Sequence, residues 1–428
     1  MYILEFHFRI LCLLLFQNLG VQTVYSPEKE AEIRNEEIKI ASYDMISRPK
    51  AQTVVKIKLS ILAIDELDLK SQKLTSAGWL SFEWEDDRIN WTPSAKDDIE
   101  EIFSKPADIW KPELVVDNSF DDVGVISNSD LYLRVKSTGV VEWEPPMSFV
   151  THCTVDITYY PYDKQICSVN IISWGFTAQE VMLEPADTPV NLDDFETHGE
   201  WEILSSRAEK LNVTESTIDG GTIRVFPYVA FWLRLKRRSS FYNLNIVMPV
   251  FVTSLLVALT FIVPLESGEK LSYILTVFLA LAVLLTLVAD SLPSTSISTS
   301  VLGLYLGIVT VLAAFGILLT VLILLLYHKE GPSKKSPSGI MGITYFAAIC
   351  TCSAKSLRNN KVTPINDKFE SDDDEAPESR TVYEADWKEI AVILDRFCFM
   401  MFSIITIVMN VSFVITLTAG GASYEPSE

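Results

Sequence analysis

The chain has 428 residues, of which 49% are hydrophobic, a mean hydropathy of +0.24, and 35 basic against 56 acidic side chains for a net charge of −21. That charge argues against nucleic acid as a partner and fits a surface that concentrates cations. The hydropathy is high for a soluble protein, and the length suffices for a soluble domain plus a bundle of membrane spans.

Residues 1–23 are expected to be a signal peptide, with a short apolar core at Ile10–Phe16 and a polar stretch after it. Residues 24–240 then read as an extracellular β-sandwich. A polar, helix-prone opening (Glu28–Met45) gives way to alternating runs such as Thr53–Ile64, with Gly, Pro, Asn or Asp every ten or so residues. Asn90-Trp-Thr and Asn212-Val-Thr are glycosylation acceptors, consistent with that location. Cys153 and Cys167 are an even pair with no competitor in this region, so they are expected to form a disulfide worth roughly 3 kcal/mol. No nucleophile elbow, phosphate-cradling glycine loop or HExxH run is present, and four histidines in the whole chain disfavour a metal site. The expectation is no enzyme, no metal and no cofactor.

Residues 241–327 hold three apolar spans: Asn245–Pro264, broken by Pro249; Gly268–Pro293; and Val301–Leu326. Residues 328–386 are assigned to the cytoplasm and include the acidic run Glu370–Glu375. Cys350 and Cys352, also in this segment, are either palmitoylated or plain thiols. Residues 387–418 comprise a short helix, Trp387–Arg396, leading into the fourth span at Phe397–Leu417. Cys398 in that run is a small hydrophobe. An even number of spans returns residues 419–428 to the extracellular side.

The second span is the unusual one. Ser272, Thr276, Leu279, Val283, Thr286 and Asp290 recur in steps of three and four, so they stack on one helical face. Glu269 lies at the other end, 21 residues from Asp290, a rise of about 31 Å or roughly one hydrocarbon thickness. Two uses fit this pattern. Several copies around an axis would line a wet path for cations. Alternatively, the hydroxyls bond back to the backbone or to a neighbouring helix.

The thirteen residues enclosed by Cys153 and Cys167 centre on Tyr160-Pro161-Tyr162-Asp163. This stretch resembles the signature loop of the Cys-loop receptors, the pentameric ligand-gated ion channels, with Tyr where the family usually has Phe. Trp79…Trp84…Trp91, Ile109-Trp110-Lys-Pro112, Ser173-Trp174, Gly268-Glu-Lys270 and Asp386-Trp-Lys388…Asp395-Arg396 look nicotinic within that family. The Gly-Glu-Lys run is similar to cation-selective members. The resemblance implies an all-β extracellular sandwich over an α-helical four-helix transmembrane bundle, in the pentameric ligand-gated channel architecture.

It also implies an agonist pocket between adjacent subunits, where aromatic faces attract a cation by about 0.5–2 kcal/mol per good contact. Trp174 matches the main aromatic of the principal face, Trp84 the tryptophan of the opposing face, and Phe226 an aromatic of the capping loop. Asp117 stands where the family has a tyrosine, and the adjacent cysteines of acetylcholine-binding subunits are absent from Asp219–Thr222. Glu142 and Glu144 lie where the opposing face reaches the pocket. For coupling, the resemblance implicates Tyr160, Asp163 and Pro293, together with Arg237, whose usual acidic partner position here holds Leu69 beside Asp68. The sequence-level reading is a plasma-membrane homopentamer gated by a small, cationic agonist and permeable to cations. Leu279 and Val283 close its path, and Glu269 and Asp290 select. An accessory subunit or a membrane-anchored surface binding protein is the alternative.

Overall fold

A computed structural model describes residues 26–40, 43–126, 130–216, 221–294, 298–329, 338–351 and 387–425. The expected signal peptide, the acidic run Glu370–Glu375 and Cys352 lie outside the described residues. The described chain forms two compact units.

The first unit takes the described residues up to Asp68, then Gln72–Thr154 and Ile166–Leu235. It opens on helix α1 (Pro27–Arg34), where the Ser26 hydroxyl accepts the Lys29 N–H and Pro27 supplies a preset first turn. Two sheets follow. The larger runs β3 (Glu101–Ser104), β5 (Leu133–Lys136), β6 (Val140–Trp143), β2 (Lys73–Glu85), β1 (Thr53–Asp68) and β9 (Val181–Asn191), with β7 (Pro146–His152) paired to β2 beyond β6. The smaller has the order β10 (Trp201–Ser216), β11 (Ile223–Arg237), β8 (Lys164–Ser173) and β4 (Leu114–Val116). Burial alternates without a break along β2, so Leu80, Phe82 and Trp84 point inward while Trp79, Ser81 and Glu83 point outward. The core joins these to Ile57, Leu59, Trp110, Trp143, Val169, Ile171 and Phe231, all buried. The expected sandwich is present, closed by the Cys153–Cys167 bond.

The second unit holds Leu69–Ser71, the loop segment Val155–Gln165 and everything from Lys236. Four of its helices are long and apolar enough to cross a membrane: α2 (Ser240–Ile262), α3 (Lys270–Asp290), α4 (Val301–Tyr327) and α6 (Trp387–Ser423). Pro249 does not break the first. A π-helical stretch at Asn243–Val247 widens the backbone just before it, and the helix continues through the position where the proline offers no N–H. Asn410 on α6 ties three helices together. It accepts the Tyr305 hydroxyl at 2.8 Å and donates to Ser254 at 3.0 Å and to the Thr406 carbonyl at 2.8 Å.

Two boundaries differ from the sequence reading. The short helix and the fourth span are one continuous rod of 37 residues, running to Ser423 rather than ending at 418. At about 1.5 Å per residue it spans about 55 Å, longer than a bilayer core is thick. A further helix, α5 (Ser338–Cys350), lies within 328–386, where the sequence reading named no helix. Its Ala347 and Ala348 pack against Ile393 of α6.

Candidate functional site

Three of the expected ligand residues lie on or just after neighbouring strands of the smaller sheet, β11, β8 and β4. Trp174 follows β8 and is 61% exposed, with its N–H donated to the Glu113 carbonyl at 3.1 Å. The chain just beyond it is tied to β11 where Ala178 N–H meets the Val225 carbonyl at 2.7 Å, next to half-buried Phe226. Asp117 is exposed at the end of β4, its N–H bonded to the Asn170 carbonyl of β8 at 2.9 Å. Tyr228 belongs with them: its hydroxyl is pushed up to about 12 by burial and by the negative charges of Asp117 and Glu209. The sequence reading passed over Tyr228, although two-residue alternation along β11 from Phe226 marks it. Aromatic faces beside a carboxylate suit a cationic ligand.

The opposing face requires a correction. Trp84 points into the sandwich, 1% exposed, with its ring edge-on to Trp110 at 6.1 Å. It is a core residue and offers no surface to a ligand. Trp79, five residues earlier, has the opposite parity on β2 and is partly exposed. It shares the outer face with Ser81 and with Glu144, which accepts the Ser81 hydroxyl at 2.8 Å. Glu142 and Glu144 line a cleft of about 350 Å³ with Lys56, Lys58, Ser81 and Glu83. Glu142 is already engaged by Lys136 and, at 3.9 Å, by Arg134, which leaves Glu144 the freer acid for a ligand.

Three of the expected coupling residues, Tyr160, Asp163 and Arg237, meet in the second unit. Arg237 bonds Asp163 twice, Nε to Oδ1 at 2.8 Å and a terminal nitrogen to Oδ2 at 3.1 Å. Rings of Tyr160 and Tyr242 flank the guanidinium, each 5.2 Å away. The acid sought near Leu69 is therefore within the disulfide-bounded loop itself. That loop is also fastened to α4, where Val301 N–H meets the Thr158 carbonyl at 2.9 Å. Pro293 is buried. The loop and the end of α6 meet closely. Lys164 Nζ reaches the Ala422 and Tyr424 carbonyls at 3.2 and 3.0 Å, and the Tyr424 hydroxyl donates to Asp156. A side chain at Gly420 or Gly421 would strike Tyr159 or Tyr162 at under 3 Å, so glycine is what lets the helix end approach.

On α3, Ile274, Val277, Leu281 and Val288 face inward, and every residue of the stripe, Ser272, Thr276, Leu279, Val283, Thr286 and Asp290, is exposed. Leu279 is 64% and Val283 51% exposed. Thr276 and Thr286 donate to the backbone carbonyls of Ser272 and Val283, each at 2.8 Å. Their protons are satisfied by the helix itself, and the oxygen lone pairs remain on the open face. Both uses considered for the stripe are thus compatible. Gly268 takes a left-handed conformation (φ +70) that reverses the chain before Glu269, which is itself exposed. Asp290 lies 3.8 Å from Lys70, but both side chains are over 60% exposed, so this pair contributes little.

Residues 36–239 match the family model of the neurotransmitter-gated ion-channel ligand binding domain, and residues 246–344 match that of the neurotransmitter-gated ion-channel transmembrane region. The chain belongs to the Cys-loop receptor family. The Cys-loop fold therefore accounts for both units, and the chain is a plasma-membrane protein of an ion-channel family with an extracellular ligand-binding domain. Among its relatives, neuronal acetylcholine receptor subunit alpha-2 of Gallus gallus is 30% identical over 299 residues, covering 69% of this chain and 56% of the relative. The Rattus norvegicus alpha-2 subunit is 28% identical over 338 residues, 78% of this chain and 65% of the relative. Neuronal acetylcholine receptor subunit alpha-5 of Homo sapiens is 27% identical over 378 residues, 83% and 79% respectively. The chain thus spans between 56% and 65% of the length of the alpha-2 relatives. Within this Cys-loop receptor subunit both sequon asparagines, Asn90 and Asn212, are exposed.

Proposed function

We propose that this chain is a subunit of a ligand-gated, cation-selective pentameric channel, and that five identical copies suffice to form it. The observation that carries the reading is the face of α3: hydroxyls and acids stay open along a helix whose other side is buried in the bundle. In a ring of copies, Glu269 and Asp290 favour cations, Ser272, Thr276 and Thr286 wet the path, and Leu279 and Val283 close it by excluding water. A small cationic agonist sits between subunits. Trp174, Phe226, Asp117 and Tyr228 come from one side, Trp79, Glu144 and Glu142 from the other. Asp163, Arg237, Tyr160 and Pro293 pass its arrival to the helices. Residues 1–23 act as the signal peptide, Asn90 and Asn212 carry glycans, and residues 328–386 lie in the cytoplasm.

Expressing the full chain alone and screening protonated and quaternary amines by electrophysiology tests this. Agonist-evoked current whose reversal potential follows the cation gradient, with selectivity weakened by Glu269→Ala, is the expected result. Surface-expressed chain that carries no current, with or without Leu279→Thr, sinks it. That outcome favours the second reading, an accessory subunit that conducts only beside others. The acid at Asp117 and the missing adjacent cysteines at Asp219–Thr222 point that way.

A further inference from the structure

Lys270 and Asp395 are 125 residues apart in sequence and meet inside the helix bundle. Lys270 is the first residue of α3, directly after Glu269, yet the two have opposite fates. Glu269 is exposed, whereas Lys270 is fully buried. Its Nζ donates to the Asp395 carboxylate of α6 and, at 3.3 Å, to the Val263 carbonyl, and it lies 5.4 Å from the centre of the Phe261 ring. Asp395 is itself largely closed off from solvent, its side chain 11% exposed. A buried ammonium needs a charged partner, and a lysine without one turns its long flexible stem toward the nearest water. The exposed residue next to Lys270 in the chain is Glu269, at the open end of α3.

We propose that Asp395 is a positioning residue for ion selection. By holding Lys270 inside the bundle, it leaves Glu269 as the uncompensated charge at that end of the path. A released Lys270 would place a positive charge next to each glutamate and cancel most of the ring's field. One such charge about 10 Å away changes local cation concentration by on the order of twofold in water-like surroundings. This inference rests on the reading of α3 as a pore helix, but its first test does not.

That test labels the purified full chain with a water-soluble N-hydroxysuccinimide ester and reads Lys270 by mass spectrometry. Lys270 is expected to resist labelling in the wild type and in Asp395→Glu, and to be labelled several-fold more in Asp395→Asn. Ready labelling of Lys270 in the wild type overturns the proposal, whether or not Asp395→Asn folds. So does equal protection in wild type and a folded Asp395→Asn. In the agonist-independent Leu279→Thr background, Asp395→Asn is expected to move the salt-dilution reversal potential toward chloride and to lower single-channel conductance about twofold. Lys270→Gln/Asp395→Asn is expected to restore both. A double variant as defective as Asp395→Asn marks a purely structural role and overturns the proposal. An unmoved reversal potential in Glu269→Ala, with the labelling result intact, faults the pore reading instead.

Discussion

Arg237 and Asp163 form a two-point ion pair in which neither side chain is more than 2% exposed. Gln165 adds a third bond to the same carboxylate at 2.7 Å, so Asp163 is committed on both oxygens. Replacing Arg237 with Ala strands that carboxylate, and breaking one side of a buried pair costs about 3–5 kcal/mol. Arg237→Ala should fail to reach the cell surface or melt well below the wild type in detergent. Arg237→Lys, which keeps the charge but loses the fork, should fall between them. A melting temperature for Arg237→Ala equal to that of the wild type would contradict this account of the pair.

Leu279 is the most exposed of the large apolar residues along the stripe. In a ring of copies it opposes water, so Leu279→Thr should hydrate the constriction. Whole-cell recording is expected to show standing leak current, or activation at roughly tenfold lower agonist concentration, a factor equivalent to about 1.4 kcal/mol. Identical resting current and dose response would count against a gate at this position.

The two tryptophans of β2 should behave oppositely. Trp84→Ala empties a core site, at a cost of about 3–5 kcal/mol, and should reduce surface expression. Trp79→Ala should leave expression near normal and raise the agonist concentration for half-activation several-fold, as should Trp174→Ala, through loss of cation–aromatic contact. Surface biotinylation beside dose-response curves separates these cases. Normal expression of Trp84→Ala with a shifted dose response would restore Trp84 as a ligand contact.

The bond between Asp156 and Tyr424 has a defined pH range. Burial raises the Asp156 carboxyl, but hydrogen bonds from the Thr158 hydroxyl, Tyr424 and the Thr158 N–H hold it below the ordinary carboxylate value. A lowered folded value means its contribution is present above the unfolded value of about 3.9 and lost as pH falls through the folded one. The Tyr424 hydroxyl is pushed up to about 12, first by burial and then by the Asp156 bond. Its contribution is present below about 10 and lost as pH rises toward 12. Tyr424→Phe should therefore destabilise the loop by about 1.5 kcal/mol, equally at pH 5.5 and pH 8.5. Thermal melts in which that difference changes across this interval would show that another group governs the contact.

Local regularities were readable in the residues. Two-residue alternation marked the run that forms β1, hydrophobic length set the spans, and steps of three and four set the open face of α3. Most of what escaped depends on contacts between distant segments, Trp84 being the exception. Trp84 was assigned from its place in a motif, and only its parity against Trp79 reveals that it points inward. The partner of Arg237 lies 74 residues away, and the docking of Tyr424 on Asp156 joins residues 268 apart. No periodicity encodes either. The sequence reading named no helix at α5, whose Ala347 and Ala348 are held by packing on Ile393 of α6, a distant segment.

Trp174 has a practical use beyond its chemistry. Of the nine tryptophans, all within the described residues, it is the one that stands exposed. An aqueous collisional quencher such as acrylamide will therefore act mainly on its emission, with a smaller effect on the partly exposed Trp79 and Trp232. The receptor carries a native optical reporter at its candidate pocket, and shielding from the quencher can rank compounds without any current being recorded.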